Sequence, residues 1–358
     1  QTRRKRPPLF SPTLPMLRRV RTEGTLLLTL AVIVLVTAFI AAAVPRLLNQ
    51  MADRGLTHAV SNANVFQRNI QLLRTDRFEP GTGADYYVPI DAYGSEFQSN
   101  FEPSIQRIIG HRNWMINSLR FTVVETTDTD TFPFLRHITV LYQNELDPQL
   151  TFIEGRTPQT TDERAVPQDE SIPTVDGAVT VLEVALSVEA AGQLQVNVGD
   201  LIILSPNEDE PLATSIPQSA QTAVGIRIVG LFTINDPVAE YWLGDAQLHR
   251  ALEYDDGNTV QYYATALLAP EGYGSLLDST PYPFRYTWRY YVDPEALDAG
   301  ALPTLAADVR RLDAEYGSVS SSRVREDAIR TGLSSVFRAY MSQRRLAEAV
   351  LALAATGL

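Results

Sequence analysis

Gly24–Val44 reads GTLLLTLAVIVLVTAFIAAAV, 21 residues without a charge and with only Gly and Thr to dilute the apolar run. As a helix rising about 1.5 Å per residue it would cover roughly 32 Å, the thickness of a bilayer's hydrocarbon core. A signal peptide is also basic and then apolar, but its apolar region is only ~7–15 residues long. Here Pro45-Arg46-Leu47-Leu48 leads into more helix-forming sequence instead of a cleavage site. Residues 24–44 are therefore expected to form a transmembrane helix, with the rest of the chain arranged around it.

Charge sets the expected orientation. Residues 1–23 carry Arg3, Arg4, Lys5, Arg6, Arg18, Arg19 and Arg21 against Glu23, a net of +6, so with a total of −12 the other 335 of the 358 residues carry −18. Basic clusters stay on the cytoplasmic side. Residues 1–23 are thus read as a cytoplasmic N-terminus, and the acidic remainder as an extracytoplasmic body on a bacterial inner or plasma membrane. With 45% hydrophobic and 20% charged residues, that remainder has the composition of a packed domain. A −18 surface argues against nucleic acid as a partner, since each phosphate contact needs a basic group. At the far end Leu346–Leu358, LAEAVLALAATGL, reads as the start of a second crossing, truncated. With Gln in place of Met at position 1, the expectation is a fragment of a longer membrane protein.

Two segments flank the body. From Pro45 to Leu73 the sequence keeps helical character, and Ala52, Leu56, Ala59, Ala63, Phe66, Ile70 and Leu73 are spaced 4, 3, 4, 3, 4, 3. That spacing is a coiled-coil seam. Ile329, Leu333, Val336 and Tyr340 repeat the 4, 3, 4 spacing near the other end. Residues 45–74 are expected to form an ascending stalk helix and residues 323–345 a returning one, packed antiparallel as a rigid lever.

Between them the pattern is α+β. Phe121–Glu125 and His137–Tyr142 read as strands, with a short helix at Pro103–Ile109 before them. Val181–Leu186, Leu201–Leu204, Ile226–Thr233 and Tyr262–Leu268 read as further strands, and Ala301–Tyr316 as a helix. Thr157–Asp176 and Ser205–Thr222 are loops by composition. The expected architecture is an α+β subdomain from residues 75–150 and 286–322, with a β-rich subdomain, 151–285, inserted in it.

Catalytic chemistry finds little support. The absence of cysteine removes disulfides, thiolate metal sites and a thiol nucleophile, and with Lys5 the only lysine no GxxxxGK[ST] phosphate loop can exist. His58, His111, His137 and His249 are scattered singly, with no HExxH pair. Asp128 and Asp130 lack the glycine and distal glutamate of a calcium loop, and Glu208, Asp209 and Glu210 read as a solvated acidic run. The aromatics Tyr282, Phe284, Tyr286, Trp288, Tyr290 and Tyr291 fit either a core strand or a binding patch, with core packing preferred. No metal, cofactor or catalytic residue is expected.

The order of elements and several short motifs carry a resemblance. Phe152-Ile-Glu-Gly-Arg156 with Pro158, Glu183-Val-Ala-Leu-Ser187, the stretch Ala190–Asp200 ending in Val-Gly-Asp, Arg227-Ile-Val-Gly-Leu-Phe232 and Asp236-Pro237 stand in the same order as similar motifs of the FtsX-like permease family, which includes MacB and the lipoprotein-releasing permeases. Read physically, Ser187 caps a short helix from Val188 to Leu194, and Gly199-Asp200 turns the chain into the strand at Leu201. Gln195 and Val196 stand where family members often have glycine, which argues against a left-handed helix end there. The resemblance implies a non-catalytic permease subunit of an ABC transporter, working as a dimer with a separate ATPase subunit and relaying its motion through the stalk to the outside. The alternative is a transmembrane signalling receptor with an extracytoplasmic sensor; an enzyme on a stalk is weakened by the lack of any nucleophile, base and orienter together.

Overall fold

The computed structural model describes residues 13–82, 85–126, 134–207, 216–217, 220–242, 246–255, 257, 259–317 and 324–356. Asp128, Asp130 and Glu208–Glu210, like the basic residues up to Arg6, lie outside the described residues. The chain divides into two units, residues 1–56 and residues 57–358.

The first unit is helical from Thr13, the start of α1 (Thr13–Ser61). From Leu26 to Met51 its described large apolar side chains point outward, Leu26 being 73% exposed, Leu35 70% and Phe39 71%, whereas Leu56 is fully buried. The side chains of Thr25, Leu27, Ile40, Ala41 and Val44 lie outside the described set. Among the described residues no helix is long and apolar enough to cross a membrane.

The second unit begins with the end of α1. Its elements are α2 (Val65–Arg68), β1 (Ile70–Asp76), α3 (Val88–Ser99), α4 (Pro103–Ile108), β2 (Ile109–Thr126), β3 (Leu135–Gln143), β4 (Leu150–Gly155), β5 (Arg164–Ala165), β6 (Val179–Ser187), α5 (Val188–Leu194), β7 (Leu201–Pro206) and β8 (Val224–Ile234). There follow α6 (Ala246–His249), β9 (Leu252–Asp255), β10 (Val260–Leu268), α7 (Gly272–Ser279), β11 (Phe284–Val292), α8 (Leu302–Tyr316), β12 (Asp327–Thr331) and α9 (Leu333–Thr356). The fold is mixed α+β on one large mixed sheet of order β12-β1-β11-β2-β3-β10-β6-β8-β4.

β2 organises this sheet by its length. Ile109–Asn117 pairs with β11, Met115–Thr122 with β3, and Phe121–Thr126 with β7. β7 also pairs with β8, so β2, β3, β10, β6, β8 and β7 close into a hydrogen-bonded ring of six strands. Closure leaves those strands no free edge. The ring draws strands from both sides of position 150, where the sequence pattern suggests a subdomain boundary, because β2 runs unbroken from one part into the other. Its strands are long apolar runs, as expected for strands covered on both faces: Val181, Val184, Leu204, Val224, Ile226 and Ile228 are fully buried.

Outside the ring, β12, β1, β11 and the first half of β2 form an antiparallel layer covered by α3, α4 and α8. The aromatic run of β11 is core: Phe284, Tyr286, Trp288 and Tyr290 are at most 1% exposed. Trp288 Nε1 donates to the Ile90 carbonyl at 2.9 Å and the Tyr290 hydroxyl to the Gly94 carbonyl at 2.9 Å, so both polar tips are satisfied on α3. Gly94 permits this approach, since a β-carbon there would stand 2.3 Å from Trp288 Cδ1.

Two details concern the motifs. Ser187 caps α5 as expected, accepting from the Ala190 N–H at 3.0 Å. Contrary to expectation Gln195 ends that helix in the left-handed conformation, φ +53°, and its own and the Val196 N–H close onto α5 carbonyls. Those hydrogen bonds offset the cost of roughly 1–2 kcal/mol that a β-carbon meets there.

Candidate coupling site at the helix junction

The stalk reading fails over its outer third, and the local chemistry says why. Helix α1 stops at Ser61, ahead of the polar run Asn62-Ala63-Asn64. Asn62 folds its amide back onto the His58 carbonyl at 2.8 Å, and Arg68 reaches the Ser61 carbonyl at 2.7 Å, a cation on a helix C-terminus. Asn64 then opens α2 by accepting from the Phe66 N–H at 2.9 Å. Ile70 and Leu73 thus lie on strand β1 and Ile329 on strand β12, where the seam had placed them on helices.

Of the other seam residues, Ala52 and Leu56 lie on α1 in the first unit, Ala59 on its last turn, Ala63 in the turn between helices, and Phe66, 44% exposed, on α2. On α9 the buried stripe is Leu333, Phe337 and Tyr340, with Val336 half-buried beside it. The two flanking segments still meet. β1 and β12 pair antiparallel from Ile70↔Thr331 to Arg74↔Asp327, and Gly332 sits so close to α2 that a β-carbon would lie 2.7 Å from Gln67 Cα.

From Gly332, α9 runs back along α8. Ser334 Oγ donates to Asp313 Oδ2 at 2.5 Å near the end of α8, and Arg344 Nη1 donates to the Ala299 carbonyl at 3.3 Å before its start. Thr57 Oγ1, on α1, donates to the Pro294 carbonyl at 3.1 Å. Thr57 and Arg344 are therefore both fastened to the loop Asp293–Gly300. Beyond Arg344 the described large apolar side chains of α9 face outward, with Leu346 68%, Val350 64% and Leu353 71% exposed.

Two polar clamps hold the junction. In the first, Arg68 binds the Glu240 carboxylate through Nε at 3.0 Å and Nη2 at 2.7 Å. Asn69, fully buried, donates to Glu240 Oε1 at 2.5 Å and accepts from the Val292 N–H at 3.0 Å. Glu240 belongs to the short turn Glu240–Trp242, whose Tyr241 carbonyl accepts from Arg289 at 2.9 Å and from Gln143 at 3.4 Å. This turn joins the junction to the end of β3. In the second clamp Arg74 donates to Asp76 Oδ2 at 2.8 Å, to the Tyr93 hydroxyl at 2.7 Å and to Asp327 Oδ1 at 3.2 Å. Burial, then its hydrogen bond to Asp327, pushes the Tyr93 phenol well above its ordinary value, which keeps it a donor.

These groups bind and position; they form no nucleophile–base pair. The histidines stay apart: His111 stacks on Tyr291, His137 is buried against Thr122 and Tyr263, His249 lies 3.6 Å from Glu189, and His58 meets Asn62. Among the described residues no three His, Asp or Glu side chains are arranged to hold a metal ion. The clamps leave no local trace in the sequence, because Arg68 and Glu240 are 172 positions apart. The run Ser61-Asn62-Ala63-Asn64 is the one local signal for the helix end. No protein-family model matches this chain, and no curated protein matches it.

Proposed function

We propose that this chain is a non-catalytic permease subunit of an ABC transporter of the FtsX/MacB type. In this reading the apolar stretches of α1 and α9 lie in the bilayer and the α+β body stands outside the cell membrane. A separate ATPase subunit, acting on a dimer of permease chains, drives the helices, and the body moves with them to export or extract substrate.

The observation that carries the reading is the shared anchorage of Thr57 and Arg344 on the loop Asp293–Gly300. Two helices tied to one loop cannot shift against each other without moving it, and that loop continues β11, a strand at the centre of the layer. The clamps extend the connection, because Arg68 and Asn69 hold the turn that touches the end of β3. The outward-facing apolar side chains on both helices add support: in water such faces cost about 25 cal/mol per Å² of apolar surface, a cost removed by lipid.

The test is expression of the full gene with fractionation, protease protection and purification from the membrane. The reading expects a membrane-embedded chain whose body is cut only from outside and which copurifies with an ATPase of the transporter class. Recovery in the soluble fraction rejects it. Copurification with a kinase or cyclase module transfers the chain to the signalling-receptor class.

A further inference from the structure

Between the end of β3, the edge strand β4 and the end of β10 lies a cleft of about 310 Å³, within the ~300–1,000 Å³ span of small-molecule sites. Its walls are Tyr142, Leu146, Leu150, Phe152, Leu267 and Leu268, with the exposed Pro148 and Pro270 and the buried Pro158 offering no N–H.

Besides the hydroxyls of Tyr142 and Thr157, two polar side chains break this apolar lining, and both offer it acceptors. Gln143, 2% exposed, spends its amide nitrogen on Asn113 Oδ1 at 3.2 Å and on the Tyr241 carbonyl at 3.4 Å. Among the described residues no donor reaches its amide oxygen. Glu145 stands at the rim with its side chain 56% exposed, its ion-pair contact being His111 Nε2 at 3.6 Å. It holds φ +59°, a left-handed backbone that disfavours any residue with a β-carbon, so the carboxylate sits where glycine would be easier. No lining residue is cationic, and the chain after residue 23 carries −18. An anion would meet repulsion here, and a purely apolar guest would leave the Gln143 oxygen unpaired.

We propose that this cleft binds an amphiphilic ammonium ion, with its alkyl or aromatic body against Phe152 and Leu267 and its N–H groups on Glu145 and the Gln143 amide oxygen. The site does not depend on whether the helices cross a membrane. Because Gln143 also donates to the Tyr241 carbonyl, an occupant bound to Gln143 would be one hydrogen bond away from the turn that Arg68 clamps.

The probe is n-hexylammonium, with hexanoate and hexanol as controls, titrated calorimetrically against the full chain. The expected result is saturable binding of hexylammonium and at least about tenfold weaker binding of both controls, the difference one charge-assisted hydrogen bond makes. Glu145→Gln should weaken hexylammonium about tenfold. Thr157→Trp, which fills the mouth from an exposed position, should abolish binding. Glu145→Gly relieves the left-handed backbone, so it should melt no lower than the parent protein while binding about tenfold more weakly, which separates loss of the site from loss of the fold. Undiminished binding by Glu145→Gln, or equal binding of hexanoate, overturns the proposal.

Discussion

Leu72 of β1 lies directly opposite Ile329 of β12 in an antiparallel ladder. The segment leaving α1 and the segment leading into α9 are thus joined by backbone hydrogen bonds before α9 begins. A ladder fixes register, and a one-residue slip would turn every side chain to the other face. Two helices in a coiled coil can rotate about their seam, whereas these two strands cannot. The junction is therefore stiffer than a helical stalk over residues 70–74 and 327–331.

Leu72 is fully buried and Phe66 is 44% exposed. Leu72→Ala should cost about 2–5 kcal/mol by chemical denaturation, while Phe66→Ala should stay within about 1 kcal/mol. In a helical seam the order would be reversed, because Phe66 holds a seam position and Leu72 does not.

Asn69 joins three elements through α2, the Glu240 turn and β11. Asn69→Ala leaves the buried Val292 N–H without an acceptor and should cost about 2–3 kcal/mol. A double-mutant cycle on Arg68→Gln and Glu240→Gln should give an interaction energy of about 1 kcal/mol or more. Additive effects would mean that the bidentate pair contributes nothing to holding the junction.

Much of the fold is legible in the sequence, and the losses share a cause. Long apolar strands such as β6, β8 and β10, the helix α8 and the Ser187 cap announce themselves within a dozen residues. The ring is hidden because it depends on β2 pairing with β7, some 80 positions away, and no local period records that. β1 misleads because Ile70 and Leu73 satisfy a helical spacing while Ile70 and Leu72 satisfy a strand spacing; only tertiary pairing with β11 and β12 decides between them. The clamps are illegible for the same reason, since each charged partner looks like an ordinary surface residue until the chain brings its counterpart.

Gly94 tests the close contact between α3 and β11. In an isolated helix Gly→Ala is stabilising by about 1 kcal/mol. Here the added carbon would lie 2.3 Å from Trp288 Cδ1, and that ring is fully buried. Gly94→Ala should therefore destabilise by about 1–3 kcal/mol, and near-ultraviolet circular dichroism should report a displaced tryptophan. A gain in stability would show that α3 can lift off the sheet freely.

The acid limb of stability should trace to two ion pairs on neighbouring strands. Glu183 accepts from Arg156 at 2.6 and 2.5 Å, and Glu163 accepts from Arg227 Nε at 2.9 Å, while Glu183 and Arg227 face each other across the β6–β8 ladder. The hydrogen bonds from these arginines hold both carboxyls below the ordinary glutamate value. A carboxyl whose folded value is depressed contributes stability that is complete above its unfolded value, roughly pH 4.3, and is lost as pH falls through the folded value. Unfolding free energy should thus be flat from pH 7 to about 5 with respect to these groups and fall below that. Glu183→Gln cannot be titrated there. It should lower stability at pH 7, and the difference from the parent protein should shrink as pH falls below about 4.3, because the parent's unfolded chain takes up the proton before its folded state does. A constant difference from pH 7 to 3 in paired denaturation curves would assign the acid sensitivity elsewhere in the fold.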